Sequence, residues 1–236
     1  MILSQTTPVT DAVARETKAI PIVFVTVGDP VESGFTTSLA RPSGNITGFT
    51  ALEPTLGAKW VELLKEIAPR TVRVALLSKQ ETNSPIQFLM PSIQAAASSF
   101  AVQVSTAMVN AKDEIDGVIA TQARNPGGAL IVMPSAFNTT NRDLITALAA
   151  RYGVPAIYYN PLYTKSGGLI SYSADYAEQF RQAPEYVDRI LRGAKPADLP
   201  VQQPTKYKLI INLKTAKALG LDVPLHLQQI ADELIE

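Results

Sequence analysis

The stretch Ile20-Pro21-Ile22-Val23-Phe24-Val25-Thr26-Val27-Gly28-Asp29-Pro30, IPIVFVTVGDP, decides the fold. Its apolar residues run without a break instead of alternating with polar ones, the pattern of a parallel strand covered on both faces. Gly-Asp-Pro follows at once, with Asp29 placed as a helix N-cap and Pro30 as the first helical residue. The same uninterrupted pattern returns in VALL, Val74 to Leu77, and LIVM, Leu130 to Met133. Amphipathic helices separate such runs. In Thr55 to Ala68, Leu56, Trp60, Leu63, Leu64 and Ile67 share one 3.6-residue face, with Lys59, Glu62 and Glu66 on the other.

Read outward from there, strands are expected at Met1 to Ser4, Ile20 to Val27, Ile46 to Thr50, Val72 to Ser78, Val102 to Met108, Ala129 to Met133, Val154 to Tyr159, Leu169 to Tyr172 and Tyr207 to Leu213. This is an α/β chain with parallel sheets. Right-handed crossovers place the loop after each strand along the carboxyl edge, where ligands of open α/β sheets bind. Helix-start chemistry recurs in those loops: Thr7 before Pro8, Asp29 before Pro30, Ser84 before Pro85, and Asp175 with Glu178 at capping-box spacing. Helix N-termini facing one cleft suit a carboxylate, and Asp29 or Asp175 could pair with the ammonium group of an amino acid. Phe137, Tyr158, Tyr159, Tyr163 and Tyr172 follow predicted strands, where an aromatic walls a pocket or fills the core edge. Trp60, on an apolar stripe, is expected in the core.

Bulk properties narrow the function classes. The 236 residues suffice for one large or two small domains, and 46% hydrophobic with 18% charged residues is ordinary globular composition. Twenty-one Lys plus Arg balance 21 Asp plus Glu, so no net charge steers the chain toward polyanions. There is no cysteine, hence no disulfide or thiolate nucleophile. No apolar run reaches the roughly 20 residues of a bilayer span, and the opening MILSQTTPVTDAVARE lacks the layout of a signal peptide. Dinucleotide-binding, P-loop and nucleophile-elbow motifs are missing from the sequence. The single histidine, His226, lies in PLHLQQIADELIE, an expected amphipathic helix, with no second ligand at metal-binding spacing. No metal or cofactor is implied. Gly127-Gly128 and Gly167-Gly168 precede strands and serve turns. The sequons at Asn45 and Asn138 carry no assigned meaning.

IPIVFVTVGDPVESGFTTSLARPSGNITGFT, Ile20 to Thr50, and LPVQQPTKYKLIINLKTAKALGL, Leu199 to Leu221, resemble the ABC transporter substrate-binding proteins of the TrpX-like type. KWVELLKEIAPRTVRVALL and GGLISYSADYAEQFRQAPEYVDRILRGAKP agree with that family in order and spacing, so the resemblance covers almost the whole chain. It implies a type I periplasmic-binding-protein fold, with lobe I at 1–51 plus about 173–203 and lobe II at 52–172 plus about 204–236. It also implies a small amphipathic ligand, aromatic amino acids among them, held in the cleft between lobes, an ABC permease as partner, and no catalysis. The ligand loops would be Thr6-Thr7-Pro8 and Gly28-Asp29-Pro30 from one lobe. From the other come Ser78 to Pro85, with Asn83 and Ser84, then Pro134 to Phe137, with Ser135 and Ala136, and the turn Tyr172 to Asp175, while Tyr159 is a candidate as an aromatic at a strand end.

Two departures from the family stand out. Members open with an export signal or lipid anchor and further strands and helices, so lobe I is expected to be N-terminally incomplete. Its three strands and two helices between Met1 and Thr50 would leave an uncovered face or edge prone to self-association. Periplasmic or lipid-anchored extracytoplasmic placement is implied by resemblance alone. Pro184 falls inside the helix that starts at Asp175, where it costs about 3 kcal/mol unless the helix kinks or breaks, and it predicts a bend near Arg181. A second reading, a ligand-sensing domain of a regulator, shares the architecture and needs a DNA-binding or signalling domain elsewhere. A third, a small-molecule enzyme, lacks a nucleophile, base and orienter that can be named together.

Overall fold

A computed structural model describes residues 1–80 and 85–236. Its first half runs β1 (Ile2–Gln5), α1 (Thr7–Glu16), β2 (Ile22–Val27), β3 (Ile46–Thr50), α2 (Leu56–Ile67), β4 (Arg73–Lys79), α3 (Pro85–Ser99), β5 (Gln103–Val109) and α4 (Glu114–Ala123). The remainder runs β6 (Gly128–Val132), α5 (Ala136–Thr140), α6 (Arg142–Tyr152), β7 (Ala156–Tyr158), α7 (Pro161–Lys165), β8 (Ile170–Ala174), α8 (Tyr176–Leu191), a 3-10 turn (Pro196–Asp198), β9 (Tyr207–Asn212), α9 (Leu213–Ala218), α10 (Leu225–Ile230) and β10 (Glu233–Ile235). These divide into two compact units, Met1–Glu53 with Ala174–Tyr207 and Pro54–Ser173 with Lys208–Glu236.

The first unit is built on a parallel sheet ordered β1-β2-β3, with Phe24 opposite Gly48 in the β2–β3 register. Successive side chains of a strand point to opposite faces, and here both faces are buried. Ile22, Phe24 and Val27 pack with Ile46, Phe35 and Val201, against Val13 and Ala14 of α1. Val23 and Val25 pack with Phe49 and with Ala183, Tyr186 and Ile190 of α8. That two-sided cover explains the unbroken apolar run: Ile22 to Val25 are all 0% exposed. The expected second helix after Asp29 is absent. Residues 30–34 form a turn instead, which Gly34 helps to reverse at φ +72°. Much of the irregular 191–208 stretch is tied to this sheet, since Gln202 N donates to Gly48 O at 2.9 Å and Thr50 N to Gln202 O at 2.9 Å.

α8 does not break at Pro184; helix runs unbroken from Tyr176 to Leu191. Its buried stripe, Gln179, Ala183, Tyr186 and Ile190, is held on β2 and β3, and packing of that kind outweighs the roughly 3 kcal/mol penalty of an interior proline.

The second unit carries a seven-stranded sheet ordered β10-β9-β8-β7-β6-β4-β5, with every registered pair parallel. β4 pairs with β5 on one side and β6 on the other, so the strand order reverses between β4 and β6. Trp60 of α2 is 1% exposed, and its Nε1 donates to Tyr172 O at 2.8 Å, a core residue as expected. The C-terminal helix is shorter than its periodicity predicts. It ends at Ile230, and Asp232 then holds the chain beside β9, its N donating to Leu209 O at 2.8 Å and its Oδ2 accepting from Leu209 N at 2.8 Å. Residues 233–235 pair there as β10.

Candidate functional site

In the first unit the loops after β1 and β2 are joined. Thr6, not Thr7, stands at the α1 cap position, with φ 68° and no side-chain cap bond. Thr7 is the first helical residue, and its Oγ1 accepts from Gly28 N at 3.1 Å. Asp29 performs the hydrogen bonding expected of a cap but on the tight turn: its Oδ1 accepts from Val31 N at 2.8 Å and Glu32 N at 3.1 Å. Pro30 is buried, and its carbonyl accepts from Phe35 N at 2.9 Å. One Asp29 oxygen is therefore engaged by its own turn. Thr26, at a bulge in β2 between Val25 and Val27, has φ 58°, so two threonines around these loops occupy the left-handed region. Such residues cost about 1–3 kcal/mol each and gather where function constrains the backbone.

Asp175 also belongs to the first unit, whereas Tyr172 belongs to the second, so the turn expected to act as one loop straddles the two. Asp175 caps α8, its Oδ1 accepting from Glu178 N at 3.2 Å, and its N donates to Lys206 O at 2.9 Å. It lines a shallow notch with Phe49, Glu178, Gln179, Gln202 and Lys206. Arg181 and Lys206, at 2.9 Å and 3.3 Å, hold the Glu178 carboxyl below the ordinary carboxylate range.

The second unit gathers its candidates at the reversal point between β4 and β6, the position at which open α/β sheets bind ligands. Ser78 is buried at the end of β4, its Oγ donating to Lys79 O at 3.2 Å. Ser135 caps α5, with its Oγ accepting from Asn138 N at 3.0 Å; Ala136 is exposed and Phe137 half-buried. Tyr159 OH donates to Ser135 O at 2.9 Å and touches Thr139 Oγ1, which donates to the same carbonyl at 3.0 Å. Lys79 Nζ lies 5.4 Å from the Phe137 ring centroid, a cation–π pair. Ser135, Ala136, Phe137 and Tyr159 are thus drawn into one loop cluster, which the Lys79–Phe137 contact links to the end of β4. Asn83 and Ser84 lie outside the described residues.

Of the aromatics left open between pocket wall and core edge, two are core. Tyr158 and Tyr163 are 1% and 0% exposed, their rings stack at 4.8 Å, and burial pushes both phenols far above their ordinary range. Tyr172 is half-buried and contributes its carbonyl to Trp60. Asn138 and Thr139 join the cluster although sequence reasoning did not place them there, and Lys79, inside the expected Ser78 to Pro85 stretch, joins it through Phe137. Asn138 is wholly buried, an environment its sequon does not reveal. His226 is exposed, 3.1 Å from Glu66 Oε2. Among the described residues no three His, Cys, Asp or Glu gather as a metal site, and no helix is long and apolar enough to cross a membrane.

Comparisons with known proteins bear on the fold and the family. A tyrosine-binding protein of Clostridioides difficile (strain R20291) is 28% identical over 233 residues, covering 94% of this chain and 63% of its own length. The chain therefore spans less than two thirds of that relative. The crystal structure of an ABC domain in complex with L-Trp from Streptococcus pneumoniae superposes with a TM-score of 0.90 at 23% identity, covering 100% of this chain and 78% of the other. A conserved domain protein from Vibrio cholerae O1 biovar El Tor gives a TM-score of 0.88 at 26% identity, covering 99% and 78%. The architecture is the type I periplasmic-binding-protein fold. Residues 1–235 match the family described as ABC transporter substrate binding protein, and the chain belongs to that family.

Proposed function

We propose that this chain captures a small amphipathic solute for an ABC-type importer and hands it unchanged to a membrane permease. The family match over residues 1–235 is the observation that carries the reading. The ligand is an amino acid or a related carboxylate, aromatic ones included, because one relative is a tyrosine-binding protein and one solved neighbour holds L-Trp. The residues proposed to engage it are Thr6, Thr7, Gly28, Asp29 and Pro30 on the first unit, with Ser78, Ser135, Ala136, Phe137 and Tyr159 on the second. The strained Thr6 and Thr26 and the Ser135 loop held by Tyr159 support that choice. Tyr172 and Asp175 are secondary members of the set. No chemical step is assigned, and the protein works outside the cytoplasm, in the periplasm or on a lipid anchor.

Self-association is part of the proposal. Among the described residues β1 stands at the edge of the order β1-β2-β3, and Leu3 on it is 52% exposed, so β1 of a second copy can pair along this edge. Light scattering across a concentration series reads this directly, and a monomer at every concentration rejects it. The binding reading is tested by calorimetry and thermal shift with L-tryptophan, L-tyrosine and a panel of amino acids and small carboxylates. Saturable binding of one of them with a raised melting temperature is expected. Absence of any response across the panel refutes the ligand class.

A further inference from the structure

We infer that Asn138 is a positioning residue for the ligand face of the seven-stranded sheet, clamping the ends of β4 and β6 where the strand order reverses. The inference rests on the binding function proposed above. Asn138 is 0% exposed. Its Nδ2 donates to Leu77 O of β4 at 3.0 Å and to Met133 O, just past β6, at 2.8 Å. The last backbone rung at this end of the pair is Met133 N donating to Leu77 O at 2.9 Å. The amide side chain shares Leu77 O with that rung and carries the link on to Met133 O, at the point where the β4–β6 pairing stops.

The same residue anchors the loop that leads to it. Asn138 N donates to Ser135 Oγ, while Tyr159 OH and Thr139 Oγ1 both donate to Ser135 O. Residues 133–138 are in this way tied to β4, β6 and the residue that follows β7. Both Nδ2 hydrogens are committed, which fixes the orientation of the amide. The remaining atom, Oδ1, is buried without a hydrogen-bond partner, a penalty that a leucine of similar volume would avoid. What leucine could not do is tie two strand ends together. The side chain touches no solvent, so its effect on a ligand is transmitted through the Ser135–Phe137 loop, which it preorganises.

The test compares Asn138→Ala and Asn138→Ser with Leu148→Ala, a buried substitution in α6 away from the cluster. L-tryptophan is titrated calorimetrically into each purified chain, alongside thermal melts and hydrogen exchange of residues 133–139. Asn138→Ala is expected to weaken binding about ten-fold or more, and Leu148→Ala to leave affinity within about two-fold at a similar melting-temperature loss. Asn138→Ser, which retains one donor, carries the comparison if the alanine variant does not fold. Wild-type affinity in the Asn138 variants, or equal weakening in Leu148→Ala, overturns the inference. If the wild-type chain binds no amino acid, the proposed function has failed, and exchange decides the clamp by itself. Faster exchange of residues 133–139 in Asn138→Ser than in Leu148→Ala supports it, and equal exchange sinks it.

Discussion

Replacing Gly48 with alanine would set a methyl group 2.0 Å from Phe24 O and 2.7 Å from Phe24 N. Ordinary contact distances are about 3.5 Å, so the shortfall is roughly 1.5 Å. The obstacle is backbone, and no side-chain rotation relieves it. β2 and β3 must separate, and a shift of that size takes an N–H···O bond from about 2.9 Å to beyond hydrogen-bonding range. Two or three ladder bonds in a fully buried strand, at about 1–3 kcal/mol each when left unmet, amount to about 2–9 kcal/mol. That is a large part of the roughly 5–15 kcal/mol that holds a domain together. Gly44→Ala is the matched control: its φ is +77° with nothing within 4 Å, so it carries only the left-handed strain of about 1–2 kcal/mol. Urea unfolding followed by circular dichroism should show Gly48→Ala losing its first-unit transition or moving it far below that of Gly44→Ala. Coincident midpoints for the two variants would falsify the packing argument.

Trp60→Phe removes the indole donor from Tyr172 O and shrinks a side chain that is 1% exposed, which should lower stability by about 2–3 kcal/mol in denaturant melts. A loss under about 0.5 kcal/mol contradicts a core role. Thr7→Val deprives Gly28 N of its acceptor at a half-buried site; about 1 kcal/mol of stability and a clear loss of L-tryptophan affinity are expected, with Thr7→Ser restoring both. Full affinity in Thr7→Val would remove that junction from the binding face. For Glu178, whose folded carboxyl is depressed by Arg181 and Lys206, the contribution to stability is complete above the unfolded value of about 4.3 and fades as pH falls through the lower folded value. Carbon-detected NMR titration should place Glu178 below an unpaired glutamate, and Lys206→Ala should move it upward. An unchanged titration in Lys206→Ala excludes the pair as the cause.

The strands were legible because burial on both faces leaves a mark on every residue of a run, as IVFV, VALL and LIVM show, and Trp60 was legible from its place on an apolar stripe. Asp29 was placed correctly as a capping group but on the wrong element. An Asp-Pro pair satisfies the first amides of a helix or of a turn equally well, and the choice falls to Gly34 and Phe35, which reverse the chain. Glu233 to Ile235 continued a helical period for too few residues to distinguish it from a strand, and only the Asp232–Leu209 pairing beside β9 decided it. Pro184 shows the converse: a proline that disfavours a helix interior is carried within α8, whose buried stripe packs on β2 and β3.

For the proposed binding face, the sequence by itself pointed to the loops after parallel strands, since polar cap residues and aromatics cluster there along the chain. It could not show that Asn138 reaches Leu77, 61 residues away, that Lys79 meets Phe137, or that Tyr158 and Tyr163 turn inward while Tyr159 holds the Ser135 carbonyl. Capping, periodicity and turn preference are interactions between near neighbours in the chain, so sequence records them. Which strand ends lie side by side is set by the crossover order of the sheet, and only the tertiary structure brings those side chains into contact.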